Sequence, residues 1–323
     1  SVTANDYGSA RVHMIVKQSI SVTKNTVRQL LADPFFLVLH LGLITLLVLL
    51  GEMPGFTYGE HTRLLRDQCQ SLIFILGCLG GCFLLIRAVT DELRRGAAPE
   101  LRSRPILPFV LITGKWTGCA ICLLLFCVTG QSGFAWVSQV ATETGEIDQL
   151  ALLMLPGLVL LVLIGAAIWQ GVFGGSFVLP ANFAIAVAVL LGAVIRTLLG
   201  SHTDMTGVQS GVFLVPAMLI FLAILLPVAV LWDSPVVFGC GLAVFFLGLI
   251  TNASVTADLS GTAGMVIGGV LPDWQLFWLT DFLADGGMIT GAFVVDCVLR
   301  VLFFMLLCLP LATLLYERQE VQG

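Results

Sequence analysis

Charge is what this chain has least of. Only 11% of its 323 residues are Asp, Glu, Lys or Arg, against about a quarter in an ordinary globular domain. Histidine is also sparse, and His13, His40, His61 and His202 are too scattered to form a ligand cluster. There is no HExxH, no GxSxG and no pair of carboxylates within an apolar run, so zinc-peptidase and serine-hydrolase chemistry have no sequence basis. Gly114-Lys115 lacks the two other marks of a phosphate loop, because position 109 is Phe and position 116 is Trp. The chain is therefore not expected to be an enzyme, to hydrolyse ATP by itself, or to hold a metal or cofactor of its own. The first 34 residues show no compact apolar core before a small-residue cleavage site, so no signal peptide is expected. Met14 is a second plausible start, which would make residues 1–13 a disordered leader.

Apolar sequence fills the space that charge leaves. The chain is 58% hydrophobic with a mean hydropathy of +1.02, and runs of about twenty apolar residues recur along it, each long enough to cross a ~30 Å hydrocarbon core. The expected fold is all-α, a polytopic helical integral membrane protein with about eight spans near 35–51, 70–89, 106–128, 150–170, 178–198, 210–231, 235–251 and 293–316. Gly171-Val-Phe-Gly-Gly175 and Pro180 interrupt the fourth and fifth, so six spans plus a re-entrant pair is the alternative count. The expected divisions are a leader and amphipathic helix over 1–34, one transmembrane domain over 35–316, and a tail over 317–323.

Lys and Arg in short loops mark the cytoplasmic side. Arg11, Lys17, Lys24 and Arg28 precede the first span, six basic residues lie between Arg87 and Lys115, and Arg318 follows the last span. The 252–292 segment has four Asp and no Lys or Arg, which places it outside. Both termini are then cytoplasmic and the number of spans is even. The expected location is a membrane, specifically a bacterial inner membrane.

Residues 12–31 read as an interfacial helix. Val12, Val16, Ile20, Val27, Leu30 and Leu31 recur at helical spacing, while Lys17, Lys24 and Arg28 form a narrow stripe, the division expected of a helix lying among headgroups. Within 252–292, glycines and Pro272 break any span, and Trp274, Phe277 and Trp278 suit the headgroup boundary. That segment is expected to form short re-entrant helices. Eight of the nine cysteines fall inside apolar runs and read as small buried side chains; Cys69 alone is placed near a loop. The pairs Gly77/Gly81, Gly114/Gly118 and Gly171/Gly175 offer sites for close helix approach.

Two sets of charges are candidate sites. Asp296 and Arg300 stand four apart in the last span, where intramembrane charge is costly and often functional. Mutual pairing is the favoured reading, and lining a substrate path is the alternative. Arg196 reads as snorkelling from its span end. The second set is the loop 91–105, which carries Glu92, Arg94, Arg95, Arg102 and Arg104 between two long apolar runs.

Across 91–118 the sequence resembles the type-2 ABC transporter permeases, whose members commonly carry E-x-x-x-[GR]-T-x-x-x-L-L-S-x-P-[VI]-x-R after their second span, then Gly-Lys and a further Gly. Glu92, Gly96, Leu101, Ser103, Pro105, Ile106, Gly114, Lys115 and Gly118 fall at matching positions without a gap. Ala97, Arg102 and Pro108 depart from the pattern. The stretch from Leu271 to Asp281 and the final span ending Leu315-Tyr-Glu-Arg318 also resemble the family's outer segment and basic tail; residues 130–250 match only in hydrophobicity.

The resemblance implies a membrane-spanning permease subunit of an ATP-driven exporter. A separate cytoplasmic P-loop ATPase would supply ATP and Mg chemistry, and a second permease copy would complete a homodimer or heterodimer. Glu92, Arg94, Arg95, Gly96, Leu101, Arg102, Arg104 and Pro105 would form the ATPase-coupling loop. The alternative reading is a non-transporting membrane subunit that anchors or assembles a larger complex. No nucleic-acid partner is expected, and the sparse polar residues of the spans lean towards a lipid-like cargo.

Overall fold

Asp-Pro and Ser-Pro pairs, aspartate caps and the positive-φ glycines Gly174, Gly200 and Gly286 divide the apolar sequence into helices. The computed structural model describes residues 4–52, 61–94, 107–140, 148–251 and 271–322, and these are helical with short connections and no strand among them. The helices are α1 (Ala4–Leu31), α2 (Pro34–Glu52), α3 (His61–Leu85), a π-helical turn (Ile86–Thr90), α4 (Asp91–Arg94), α5 (Pro108–Ser138), α6 (Gln149–Phe173), α7 (Val178–Leu198), α8 (Met205–Leu231), α9 (Ser234–Ile250), a 3-10 turn (Gln275–Phe277), α10 (Thr280–Ala284) and α11 (Gly291–Gln322). The Asp33 carboxylate accepts the Phe35 N–H at 2.9 Å to start α2. Asp148 and Asp204 cap α6 and α8 in the same manner, accepting from Ala151 and Gly207, each at 3.1 Å. Gly174, at φ 67°, ends α6 in the left-handed conformation that glycine adopts without strain.

Among the described residues, seven helices are long and apolar enough to cross a membrane: α2, α3 with its continuation to Thr90, α5, α6, α7, α8 and α11. The chain is an all-α, polytopic membrane protein. The expected span at 235–251, the seventh of the eight, is α9, which has 17 residues and is about 25 Å long at 1.5 Å per residue, short of the ~30 Å core. It runs from the Asp91 end of α3 to the level of Phe74 and Phe221, on which Trp274 packs. Ser234 at its start donates to Asp91 at 3.2 Å, and Gly248 near its end accepts from the Trp274 backbone at 3.1 Å. The interrupted fourth and fifth spans are two complete helices, α6 and α7, with the break confined to residues 174–177. They are not a re-entrant pair.

Three helices make the centre. α3 and α8 run the same way, as Gln70 meets Gly207, Gly77 meets Met218 and Thr90 meets Ala229. α5 runs opposite to them, bringing Gln131 to Gln70 and Cys119 to the Leu84 carbonyl. Around this trio stand α1, α2, α7, α9 and α11, with α6 outermost against α7 and α2. About two thirds of α5 and α8 is buried, against 28% of α6 and 22% of α11. In lipid such helices associate through close van der Waals packing and interhelical hydrogen bonds, not by hiding apolar surface from water.

α1 departs from the sequence reading. It begins at Ala4, so most of the stretch read as a leader is helical. Val22 and Thr26 pack along α5, and Leu30 and Leu31 of the expected apolar face are buried, while Val16 and Ile20 of that face are exposed, as an interfacial helix allows. Val22 sits against Gly114 and Thr26 against Gly118, where an added methyl would come within 2.8 and 2.7 Å of those side chains. Cys69 also departs from its reading, lying fully buried inside α3 and not by a loop. Gly77 and Gly81 are close-approach positions against α8, whereas nothing approaches Gly171.

Candidate functional site

The start of the 91–105 loop, described over residues 91–94, continues from the end of α3, and this root is braced to four other parts of the chain. The brace begins with the π-turn, in which the Asp91 N–H reaches back to the Ile86 carbonyl. One extra residue per turn re-aims the side chains that follow, and such turns are frequent at functional sites. Here it turns the Thr90 hydroxyl towards α8, where it donates to the Ala229 carbonyl at 2.8 Å.

Arg87 and Asp91 form the first charged tie. Arg87 Nη1 donates to Asp91 at 3.1 Å, and its Nε stands 3.2 Å from Asp33 at the joint between α1 and α2. The second contact is an ion pair without hydrogen-bond alignment, since Arg87 Nε has no aligned acceptor. The guanidinium lies over the Phe83 ring, which itself stacks on Phe35 at 3.6 Å. Asp91 also accepts the Ser234 hydroxyl from α9. One carboxylate therefore links α3 to α9, and through Arg87 to the α1–α2 joint.

Lys115 and Glu92 form the second tie. Lys115 is nearly inaccessible, with its side chain 3% exposed. Its ammonium donates to the Ala88 carbonyl at 2.6 Å and to the Glu92 carboxylate. Ala88, whose carbonyl takes one of these bonds, lies within the π-turn. A buried ammonium needs both an opposite charge and hydrogen-bond acceptors, and Lys115 has each. Thus Glu92, from the loop, and Lys115, from α5, belong to one site, although 22 residues separate them in sequence.

Most of the other loop candidates fall outside the described residues: Arg95, Gly96, Leu101, Arg102, Arg104 and Pro105. Arg94 is the last residue of α4, a four-residue helix continuous with the π-turn. The expected short helix over 91–102 is described only over those four residues.

Asp296 and Arg300 face each other on α11, with Arg300 Nε 2.9 Å from Asp296 Oδ2 and both side chains more than a third exposed. Arg196 does more than snorkel, since it lies over Trp136 at 5.3 Å and donates to Gln139 at 3.0 Å.

A second polar cluster, at the opposite end of the bundle, was not apparent from the sequence. Arg66 on α3 forms a two-point pair with Asp204 at 2.6 and 3.1 Å. One turn deeper, Gln70 and Gln131 exchange hydrogen bonds at 3.1 and 2.8 Å, and Gln70 also donates to the Gly207 carbonyl at 2.9 Å. The signal was present: Gln70 and Gln131 are amides inside apolar runs, where an unpartnered amide would be costly. It pointed to pairing but not to the partner.

No protein-family model matches the chain, and no curated protein matches it. Among the described residues no group of three or more His, Cys, Asp and Glu side chains converges as a metal site. The root of the 91–105 loop is an electrostatic brace. Among the described residues, Arg87, Asp91, Glu92 and Lys115 are held by one another and by Asp33, Ser234 and the Ala88 carbonyl.

Proposed function

We propose that this chain is the membrane-spanning permease subunit of an ATP-driven exporter of the type-2 ABC kind, gripped by a separate P-loop ATPase at the 91–105 loop. The observation that carries the reading is the double tie at the loop's root. Glu92–Lys115 and Arg87–Asp91–Ser234 join the loop to α3, α5 and α9, and Asp33 extends the brace to α1 and α2. A loop fixed only for topology needs basic charge and no buried bracing. A lever needs bracing, because a push on a loosely held loop is absorbed before it reaches the spans.

Orientation follows the charge distribution. The loop, α1 and the end of α11 face the cytoplasm, and 271–290 faces outward, in a bacterial inner membrane. The unburied apolar faces of α6, α7 and α11 are available to lipid or to a second permease copy, with which the subunit works as a dimer. Substrate moves outward as ATP binding and hydrolysis in the ATPase bias the spans between two arrangements.

The test is a photo-crosslink from the loop. With Leu101 replaced by p-benzoylphenylalanine in the intact cell, the main protein adduct should be a P-loop ATPase. An adduct only with other membrane subunits would favour the anchoring role instead.

A further inference from the structure

Between α3 and α9 lies an apolar cleft of about 640 Å³. Cys78 and Phe221 line its depth, and Ile75, Leu242 and Phe246, all partly exposed, line its mouth. The two helices touch at one end, where a methyl on Gly241 would stand 2.3 Å from Cys82 Sγ. At the other end Trp274 bridges them. It packs on Phe74 and Phe221 with ring centroids 6.0 and 6.3 Å away, and its indole N–H donates to the Phe245 carbonyl at 3.0 Å. The cleft is thus closed above and below and open sideways, in the direction of the surrounding lipid.

We propose that this cleft holds one acyl chain of a bilayer lipid, entering sideways between α3 and α9. The proposal rests on the membrane-spanning fold alone and is independent of the exporter reading.

Three observations select this occupant. The first is shape. A helix is about 10–12 Å across with its side chains, and two packed helices stand about 8–10 Å apart. Helices joined at Gly241·Cys82 and again through Trp274 leave no room for a third between them, whereas a hydrocarbon chain is slender and flexible. The second is lining. An empty hollow of this size would forfeit the dispersion contacts of every wall atom, and an apolar wall gives water no partner. The third is polarity along the cleft. Ser71, Gln275 and Trp278 line the Trp274 end, the arrangement in which tryptophans and short polar side chains meet a headgroup. An amphiphile lying with its polar end at Gln275 and its chain towards Gly241 matches both surfaces.

The experiment places p-benzoylphenylalanine at Leu242 in one sample and at Ile164, a lipid-exposed position on α6, in another. Both full-length proteins are extracted in detergent, freed of loose lipid by size exclusion, irradiated and weighed intact. Retained lipid predicts about tenfold more phospholipid adduct at 242 than at 164, equivalent to about 1.4 kcal/mol of preferential retention. Adding Ile75→Trp, which fills the mouth from a half-exposed site, should remove the excess. Equal adducts at the two positions would mean ordinary annular lipid and would overturn the proposal. A protein–protein adduct at 242 would overturn it too, by assigning the cleft to a second copy of the chain.

Discussion

Thr26 of α1 lies so close to Gly118 of α5 that a methyl group at 118 would come within 2.7 Å of its side chain, and Val22 meets Gly114 in the same way one turn earlier. The Thr23 hydroxyl adds a hydrogen bond to the Gly114 carbonyl at 3.3 Å. Glycines four apart thus let the amino-terminal helix lie directly on the helix that carries Lys115. The α1 contact and the loop brace share one segment of α5.

Gly118→Leu should therefore displace α1. Overpacking of this kind costs about 1–3 kcal/mol, read as a lower thermal midpoint of the protein in detergent. Gly165→Leu is the matched control, because nothing lies within 4 Å of a side chain there, and it should leave the midpoint nearly unchanged. Equal losses from the two changes would mean that the α1–α5 contact contributes little.

The Lys115–Glu92 tie predicts a particular pattern of non-additivity. Lys115→Met leaves Glu92 without its ammonium, and Glu92→Gln leaves Lys115 buried beside a neutral amide; breaking a buried pair costs about 3–5 kcal/mol. Because Glu92 is 21% exposed and water relieves part of its penalty, the loss from Lys115→Met should fall at the low end. The double substitution should cost less than the sum of the two single ones. A double mutant whose loss equals that sum would show that the two side chains do not act as a pair.

How much of this was legible in the sequence depended on the length scale of the signal. Span positions were legible, because twenty-residue apolar runs can adopt few other structures in lipid. The α6–α7 break was over-read: Gly171 to Gly175 suggested re-entrant halves, but only Gly174 takes a left-handed conformation, and the rest continue or join ordinary helices. α9 was placed correctly, yet its 17 residues fell short of a full span. The π-turn left no mark, since Ile86-Arg-Ala-Val-Thr90 has no residue that a regular helix would refuse. Lys115 was visible as a motif position, but its partner was not, because pairing across helices depends on the rotation of each helix about its axis. Thr26 drew no attention, since hydrophobicity does not reveal which small side chain fits a glycine groove.

Asp296 and Arg300 form a pair within one helix, at 2.9 Å. If neutralising each other is their whole role, replacing both with Ala should preserve assembly better than replacing either alone, because a single change leaves one charge unmatched in lipid. Expression and size-exclusion profiles of the three variants make the comparison. A double mutant that assembles normally and has lost transport would instead assign the pair to the substrate path.

The proposed orientation puts Asp285 and Glu317 on opposite sides of the membrane. Both are exposed, so each can be replaced with Cys in a cysteine-free background. On intact cells an impermeant maleimide should label position 285 and spare 317. Labelling of 317 alone would invert the layout, and equal labelling would refute the even number of crossings.

The central claim is that the 91–105 loop is the handle by which a separate ATPase drives this protein. Co-purification of that ATPase with the Arg94→Glu, Arg95→Glu double variant, alongside the unaltered chain, tests it most directly. The account predicts normal membrane insertion of the variant with loss of the ATPase, since reversing two cations replaces attraction to acidic groups with repulsion. Recovery of the ATPase in unchanged amount with the reversed loop would contradict it.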